Sequence, residues 1–244
     1  MDEVVDASGV QAASSPRVRE EALLRPRLLS ALQRRFDVEL TVVHAGPGYG
    51  KSTLLAQAVA ENELDPFGQD VVIELRRRDR TPAQLLTTLS SAITGSPSAI
   101  TTIGGVREQL LTRAPDDVAL VLDDLHLLDG SDSSPLVAEL LDALPTNGHL
   151  VVASRTMPEL GVRRRESIGS ATVVTAHDLE FTELELRTVA PSLATDDDPA
   201  TSPPTWPALA VLSQRVGRGA SIEYLWEVIL AELDPQRREA LGVV

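Results

Sequence analysis

The 244 residues suffice for one large domain, or one domain with a small accessory piece, and an apolar fraction of 43% supports a sizeable core. No apolar run approaches the roughly 20 residues of a membrane-spanning helix. Met1–Pro16 lacks the features of a secretion signal, and the absence of cysteine excludes disulfides and thiol chemistry, which suits a reducing cytoplasm.

The net charge of -14 gathers after Pro115, where 22 acidic residues meet 9 basic ones, against 14 and 13 before it. A surface this acidic repels a phosphate backbone, so this segment is not expected to grip DNA or RNA itself. Of 22 basic residues only Lys51 is lysine, which marks that position for inspection.

Residues 1–19 show no periodicity and read as a mobile tail. Leu23, Leu24, Leu28, Leu29 and Leu32 form a short helical pattern broken by Pro26. Three apolar runs, Leu40–Ala45, Val118–Leu122 and Leu150–Ala153, have the character of strands buried on both faces. Val71–Leu75 and Thr172–Ala176 are weaker strand candidates.

Helical patterns lie between them: Lys51–Ala60, Ala83–Ile93 opened by Thr81 and Pro82, Val106–Arg113 and Leu136–Leu144. Thr182 and Glu185 predict a capping box before a further helix. Alternation of strands and helices predicts a parallel sheet with right-handed crossovers and helices on both faces. The acidic, proline-rich stretch 191–204 reads as a linker. Beyond it, Ile222, Leu225, Trp226, Ile229, Leu230 and Leu233 form an apolar helical stripe.

The first strand runs into Ala45-Gly46-Pro47-Gly48-Tyr49-Gly50-Lys51-Ser52-Thr53, a Walker A pattern with Ala in its first position. Amides converging on a phosphate need backbone conformations that glycine tolerates best, and the following helix turns its positive dipole end to the same anion. Lys51 is then expected to reach the β- and γ-phosphates of ATP, Ser52 to ligate Mg2+, and Thr53 to stand near the α-phosphate.

Val118–Leu122 ends in Asp123-Asp124, a Walker B element: Asp123 would accept hydrogen bonds from magnesium-bound water, and Asp124 would orient or deprotonate the attacking water. Arg155, after the third strand, is either a γ-phosphate sensor or a solvated strand-end arginine; the residues alone leave both open. The runs Arg76–Arg78 and Arg163–Arg165 read as solvated or paired with carboxylates. His44, His126, His149 and His177 show no metal-ligand spacing, and His126 reads as packing, with a polar role near the nucleotide as the alternative.

Several landmarks stand in a familiar order: Arg25-Pro26-Arg27-Leu28, the loop Ala45–Thr53, Leu122-Asp123-Asp124-Leu125-His126-Leu127-Leu128, Ala153-Ser154-Arg155 with Pro158, His177–Thr182, Trp206-Pro207-Ala208, and Tyr224-Leu225 with Glu227-Val228. In these the chain resembles the nucleotide-binding domain of STAND ATPases (signal-transduction ATPases with numerous domains), in particular the MalT-like branch of large LuxR-type regulators.

The resemblance implies an α/β P-loop NTPase three-layer sandwich with sheet order 5-1-4-3-2, a core over 20–190, and a small helical subdomain from 205 to 244. It implies that Arg155 is a sensor arginine, and that Trp206-Pro207 and Arg25-Pro26 border the adenine from two sides. It also implies a switch, resting with ADP and self-associating with ATP, with slow hydrolysis resetting it. Two departures are Thr205 in place of the usual Gly before Trp-Pro, and Val72-Ile73-Glu74 where Trp is common.

The family's winged helix, inducer-binding superhelix and DNA-binding helix-turn-helix do not fit after Trp206, so a fragment cut before the winged helix is expected, with inducer and DNA met by regions outside this chain and no membrane partner. The rival readings are a nucleotide-binding interaction module with negligible hydrolysis, a small-molecule kinase on the same loop, and a stand-alone P-loop enzyme.

Overall fold

The computed structural model describes residues 22–191 and 205–216. The tail 1–19, most of the 191–204 linker, the apolar stripe from Ile222 and the Tyr224–Val228 landmark lie outside the described residues.

These residues form two compact units. The first holds 22–47 and 51–178; the second holds Gly48–Gly50 with the described residues from Leu179 on. Strands β1 (Leu40–His44), β2 (Gln69–Glu74), β3 (Val118–Asp123), β4 (Gly148–Ser154) and β5 (Ala171–Val174) make one sheet in the order β2-β3-β4-β1-β5. Every pair is parallel. Read from the other edge this is 5-1-4-3-2, the expected order.

The central strands are buried on both faces, which is why they read as unbroken apolar runs rather than alternating ones. One parity, including Leu40, Val42, Leu120, Leu122, Leu150 and Val152, shares a core with α3 (Pro82–Thr94), α4 (Ile103–Leu111) and α5 (Ser134–Ala143). On the other side α1 (Pro26–Gln33) packs against α2 (Lys51–Leu64), and α2 meets β4. Helices therefore cover both faces of the sheet.

Pro26 does not break the first helix. It occupies its first turn, where a missing N–H costs nothing, and Leu23 and Leu24 precede the helix. A helix that the sequence reading missed, α6 (Val162–Ser167), carries the arginine run 163–165. Arg165 in that run pairs with Glu39 and Asp142, while Arg163 and Arg164 are exposed, so the run is part paired and part solvated, as expected. Arg76 likewise lies 3.7 Å from Glu74.

The one-turn helix α7 (Ala176–Leu179) ends the first unit's chain, and in the second unit the predicted capping box opens α8 (Glu183–Val189). The Thr182 N–H donates to Glu185 Oε2 at 2.9 Å, and the Glu185 N–H to Thr182 Oγ1 at 3.3 Å. α8 packs on α9 (Pro207–Val216), and the Phe181 N–H donates to Thr205 O at 2.7 Å.

A buried ion pair ties the first unit together at the amino ends of the strands. Arg35 grips Asp70 with two bonds, Nε to Oδ1 at 2.8 Å and Nη2 to Oδ2 at 2.6 Å, and both side chains are 3% exposed. Arg35 also donates to Leu32 O at 2.9 Å, and Asn62 on α2 donates to Asp70 at 2.9 Å. The pair thus joins α1, α2 and β2. Removing one partner of a buried pair strands the other charge, at about 3–5 kcal/mol. Arg35→Met is therefore expected to lower stability by about that amount in urea unfolding, while Arg35→Met with Asp70→Leu recovers most of the loss.

Candidate nucleotide-binding site

Register brings the site together. His44 pairs with Ser154 and Leu122 with Val152, so the carboxyl ends of β1, β4 and β3, three neighbouring strands, reach the same edge. Ligands of parallel α/β sheets bind at that edge. The Ala45 N–H donates to Ser154 O at 3.2 Å, which fastens the start of the loop to β4.

The loop has the backbone its sequence predicts. Gly48 and Gly50 take φ of 73° and 80°, values that residues with a side chain rarely adopt, and α2 starts at Lys51. Lys51 is only 7% exposed, and its Nζ donates to Ala45 O and Gly46 O, both at 2.8 Å. Ser52 stands exposed and Thr53 half-buried on the first turn of α2.

Asp123, at the end of β3, is half-buried, and its Oδ1 accepts from the Asp124 N–H at 2.8 Å. Burial pushes its carboxyl above the usual range. A hydrogen bond from Ser52 pulls the other way, the Asp124 charge adds to the rise, and the Asp124 N–H and Lys51 offset it. Lys51, Ser52, Asp123 and Asp124 are therefore neighbours. A hydroxyl and a carboxylate bonded to each other are hard oxygen donors of the kind Mg2+ takes, commonly with retained waters, so the residues fit that ion.

Asp124 has φ 58° and leads into the tight turn Leu125–Leu128. His126, within that turn, lies 3.8 Å from Asp124. Its pKa is lowered first by burial and then by the positive charges of Arg155 and Lys51, while Asp124 and Asp129 oppose the shift. Arg155 is thus within electrostatic reach of the same cluster. The sequence reading treated His126 as packing; the structure sets it beside the aspartates, and the spacing Asp-Asp-x-His is the signal that pointed there.

The remaining predicted residues fall in two places. Arg25 is buried and Pro26 exposed at the start of α1, and Gln57 on α2 donates to Leu23 O at 3.0 Å. Within the second unit, Tyr49 stacks on Trp206 with ring centroids 6.0 Å apart, and the Ala208 N–H donates to Gly48 O at 3.0 Å. A Cβ on Gly48 would come 2.6 Å from Ala208 Cβ, so this glycine is required for close approach as well as for its φ. Pro207 is buried at the start of α9.

The raised pKa of Asp123 carries a stability consequence. A carboxyl that is harder to ionise when folded destabilises the fold once it is charged, so the penalty grows as pH rises from the ordinary carboxylate value through the folded one. Asp123→Asn keeps an acceptor for the Asp124 N–H. We expect it to melt higher than the wild type, without nucleotide or magnesium, near neutral pH, and the gap to close as pH falls through that window.

No protein-family model matches the chain. The chain is 27% identical over 188 residues to the HTH-type transcriptional regulator MalT of Klebsiella pneumoniae subsp. pneumoniae, and 27% identical over 191 residues to MalT of Cronobacter sakazakii; each match covers 71% of this chain and 20% of the relative. The chain thus spans about a fifth of the length of these relatives. Among solved structures, a Walker-type ATPase of Pyrococcus abyssi superposes with a TM-score of 0.59 at 15% identity, covering 94% of this chain and 80% of that one. The Orc1 protein of Aeropyrum pernix, solved with DNA, superposes with a TM-score of 0.51 at 18% identity, covering 86% and 60%. These likenesses speak to the fold alone. No helix of the described residues is long and apolar enough to cross a membrane. Sheet order and phosphate-loop backbone give this chain the α/β fold of P-loop NTPases, and in sequence it is similar to the MalT-like transcriptional regulators.

Proposed function

We propose that the chain is the nucleotide switch of a STAND-type regulator, resting with ADP, self-associating with ATP and hydrolysing ATP slowly. What carries the reading is the convergence of Lys51, Ser52 and Asp123, a cation, a hydroxyl and a carboxylate placed together by the ends of β1 and β3. In this reading the amides of Gly46, Gly48, Tyr49 and Gly50 line the phosphates. Lys51 exchanges its two carbonyl partners for phosphate oxygens, and Thr53 stands near the α-phosphate. Ser52 and, through water, Asp123 would hold Mg2+, which would supply positive charge against that developing on the phosphates.

Asp124 positions the attacking water and takes its proton as the water oxygen bonds to the γ-phosphorus. The bond to the β–γ bridging oxygen breaks, and ADP keeps the electron pair. Arg155, a permanent cation, stabilises the charge of the transferring group. Arg25, Pro26 and Pro207 are assigned to the adenine side. Inducer and DNA are assigned to other regions of a longer, cytoplasmic regulator, in line with the 20% of each MalT relative that the chain covers.

Lys51→Ala removes the charge facing the phosphates, and calorimetry should find binding of Mg–ATP and Mg–ADP abolished or greatly weakened. The wild type should gain about 2.7 kcal/mol of stability at ligand a hundredfold above its Kd; a melting curve indifferent to both nucleotides would sink the reading. Asp124→Ala should bind nucleotide while releasing phosphate about a hundredfold more slowly or worse. Equal rates would instead leave a binding module whose chemistry does not use this carboxylate.

A further inference from the structure

Asp124 is the one non-glycine residue with positive φ among the described residues. That left-handed conformation turns the chain sharply out of β3 into Leu125–Leu128, and it folds the segment so that His126 returns toward Asp124. Nδ1 lies 3.8 Å from Asp124 Oδ1, on a side chain that is 16% exposed. Strained backbone held in place at a ligand edge is a common mark of a functional residue.

Nδ1 is buried and has no hydrogen-bond partner among the described residues. Buried polar atoms are nearly always paired, so an orphan of this kind calls for a role. The Asp124 carboxylate stands about 1 Å beyond ordinary N–H···O length from it. Ring rotation is the small movement that would close the gap, because the turn itself is held. Arg80 donates to Leu127 O at 2.9 Å and to Asp129 O at 3.1 Å, and Thr156 Oγ1 donates to Asp129 Oδ2 at 2.6 Å. The Leu127 N–H donates to Asp124 O at 2.9 Å, and Leu125 and Leu128 are buried. Burial and the charges of Arg155 and Lys51 favour the neutral ring, which carries one N–H to give.

We propose that His126 is a positioning residue for hydrolysis: in the reactive state its neutral ring donates from Nδ1 to Asp124 and fixes which carboxylate oxygen faces the attacking water. This rests on the reading of Asp124 above. The ring exchanges no proton in the step, and it acts only through Asp124.

The test compares full-length wild type with His126→Ala, His126→Asn, His126→Phe, Asp124→Ala and the Asp124→Ala/His126→Ala double variant. Readouts are Mg–ATP affinity by calorimetry and single-turnover phosphate release. His126→Ala should slow release about tenfold to a hundredfold, as expected for a misplaced reacting group, with affinity within about twofold. His126→Asn, whose amide can present an N–H near the Nδ1 position, should recover to within about threefold of wild type. His126→Phe keeps the ring shape without the donor and should stay slow.

The double variant should release phosphate no more slowly than Asp124→Ala alone, because residues acting as a unit are not additive. Wild-type release by His126→Ala, equal loss in the Asn and Phe variants, or a further loss in the double variant would each overturn the role of His126 alone. A wild type that binds ATP and releases no phosphate would overturn both this role and the hydrolytic reading of Asp124, while leaving nucleotide binding intact.

Discussion

In-register parallel pairing of β1, β4 and β3 is the constraint on which the site depends. Parallel strands all finish at one edge, and their partners fix how far each extends. Here the finishing residues are His44, Ser154 and Asp123. A slip of one residue in β3 would turn its apolar positions around and move Asp123 off the edge. The burial of both sheet faces makes that slip costly, so the same packing that stabilises the sheet also places the chemistry.

The groups at that edge are held in uncomfortable states. Asp123 is a carboxylate kept where burial resists its charge. Lys51 is an ammonium drawn onto two carbonyls, and Asp124 is a side-chain-bearing residue in a left-handed conformation. The states of Asp123 and Asp124 each cost free energy. The stability they forgo is supplied elsewhere in the first unit, by the apolar core on the sheet.

How much of this was legible followed from sequence distance. The phosphate loop and its helix are contiguous, so the spacing of Gly48, Gly50, Lys51 and Ser52 announced a local conformation. The buried strands showed as apolar runs because neither face is solvated. α6 was hidden because six residues with three arginines carry no apolar stripe; Leu160 and Val162 anchor it through contacts that the pattern does not reveal. The Arg35–Asp70 pair joins residues 35 apart, and no local rule couples them. His126 was undervalued for a related reason: a lone histidine after an aspartate pair carries little signal until the turn at Asp124 is known. Pro26 was misjudged because proline ends helices from within and starts them from the first turn, and only the position of the first turn decides between the two.

The arginine-rich composition has a last consequence. Among 244 residues a single side chain bears a primary amine, and it lies 7% exposed within the loop, bonded to Ala45 and Gly46 carbonyls. Acylating reagents, which on most proteins label scattered surface lysines, here have one side-chain target. Acetylation of this chain on lysine is therefore an all-or-none event, striking Lys51 in the glycine loop and no other side chain.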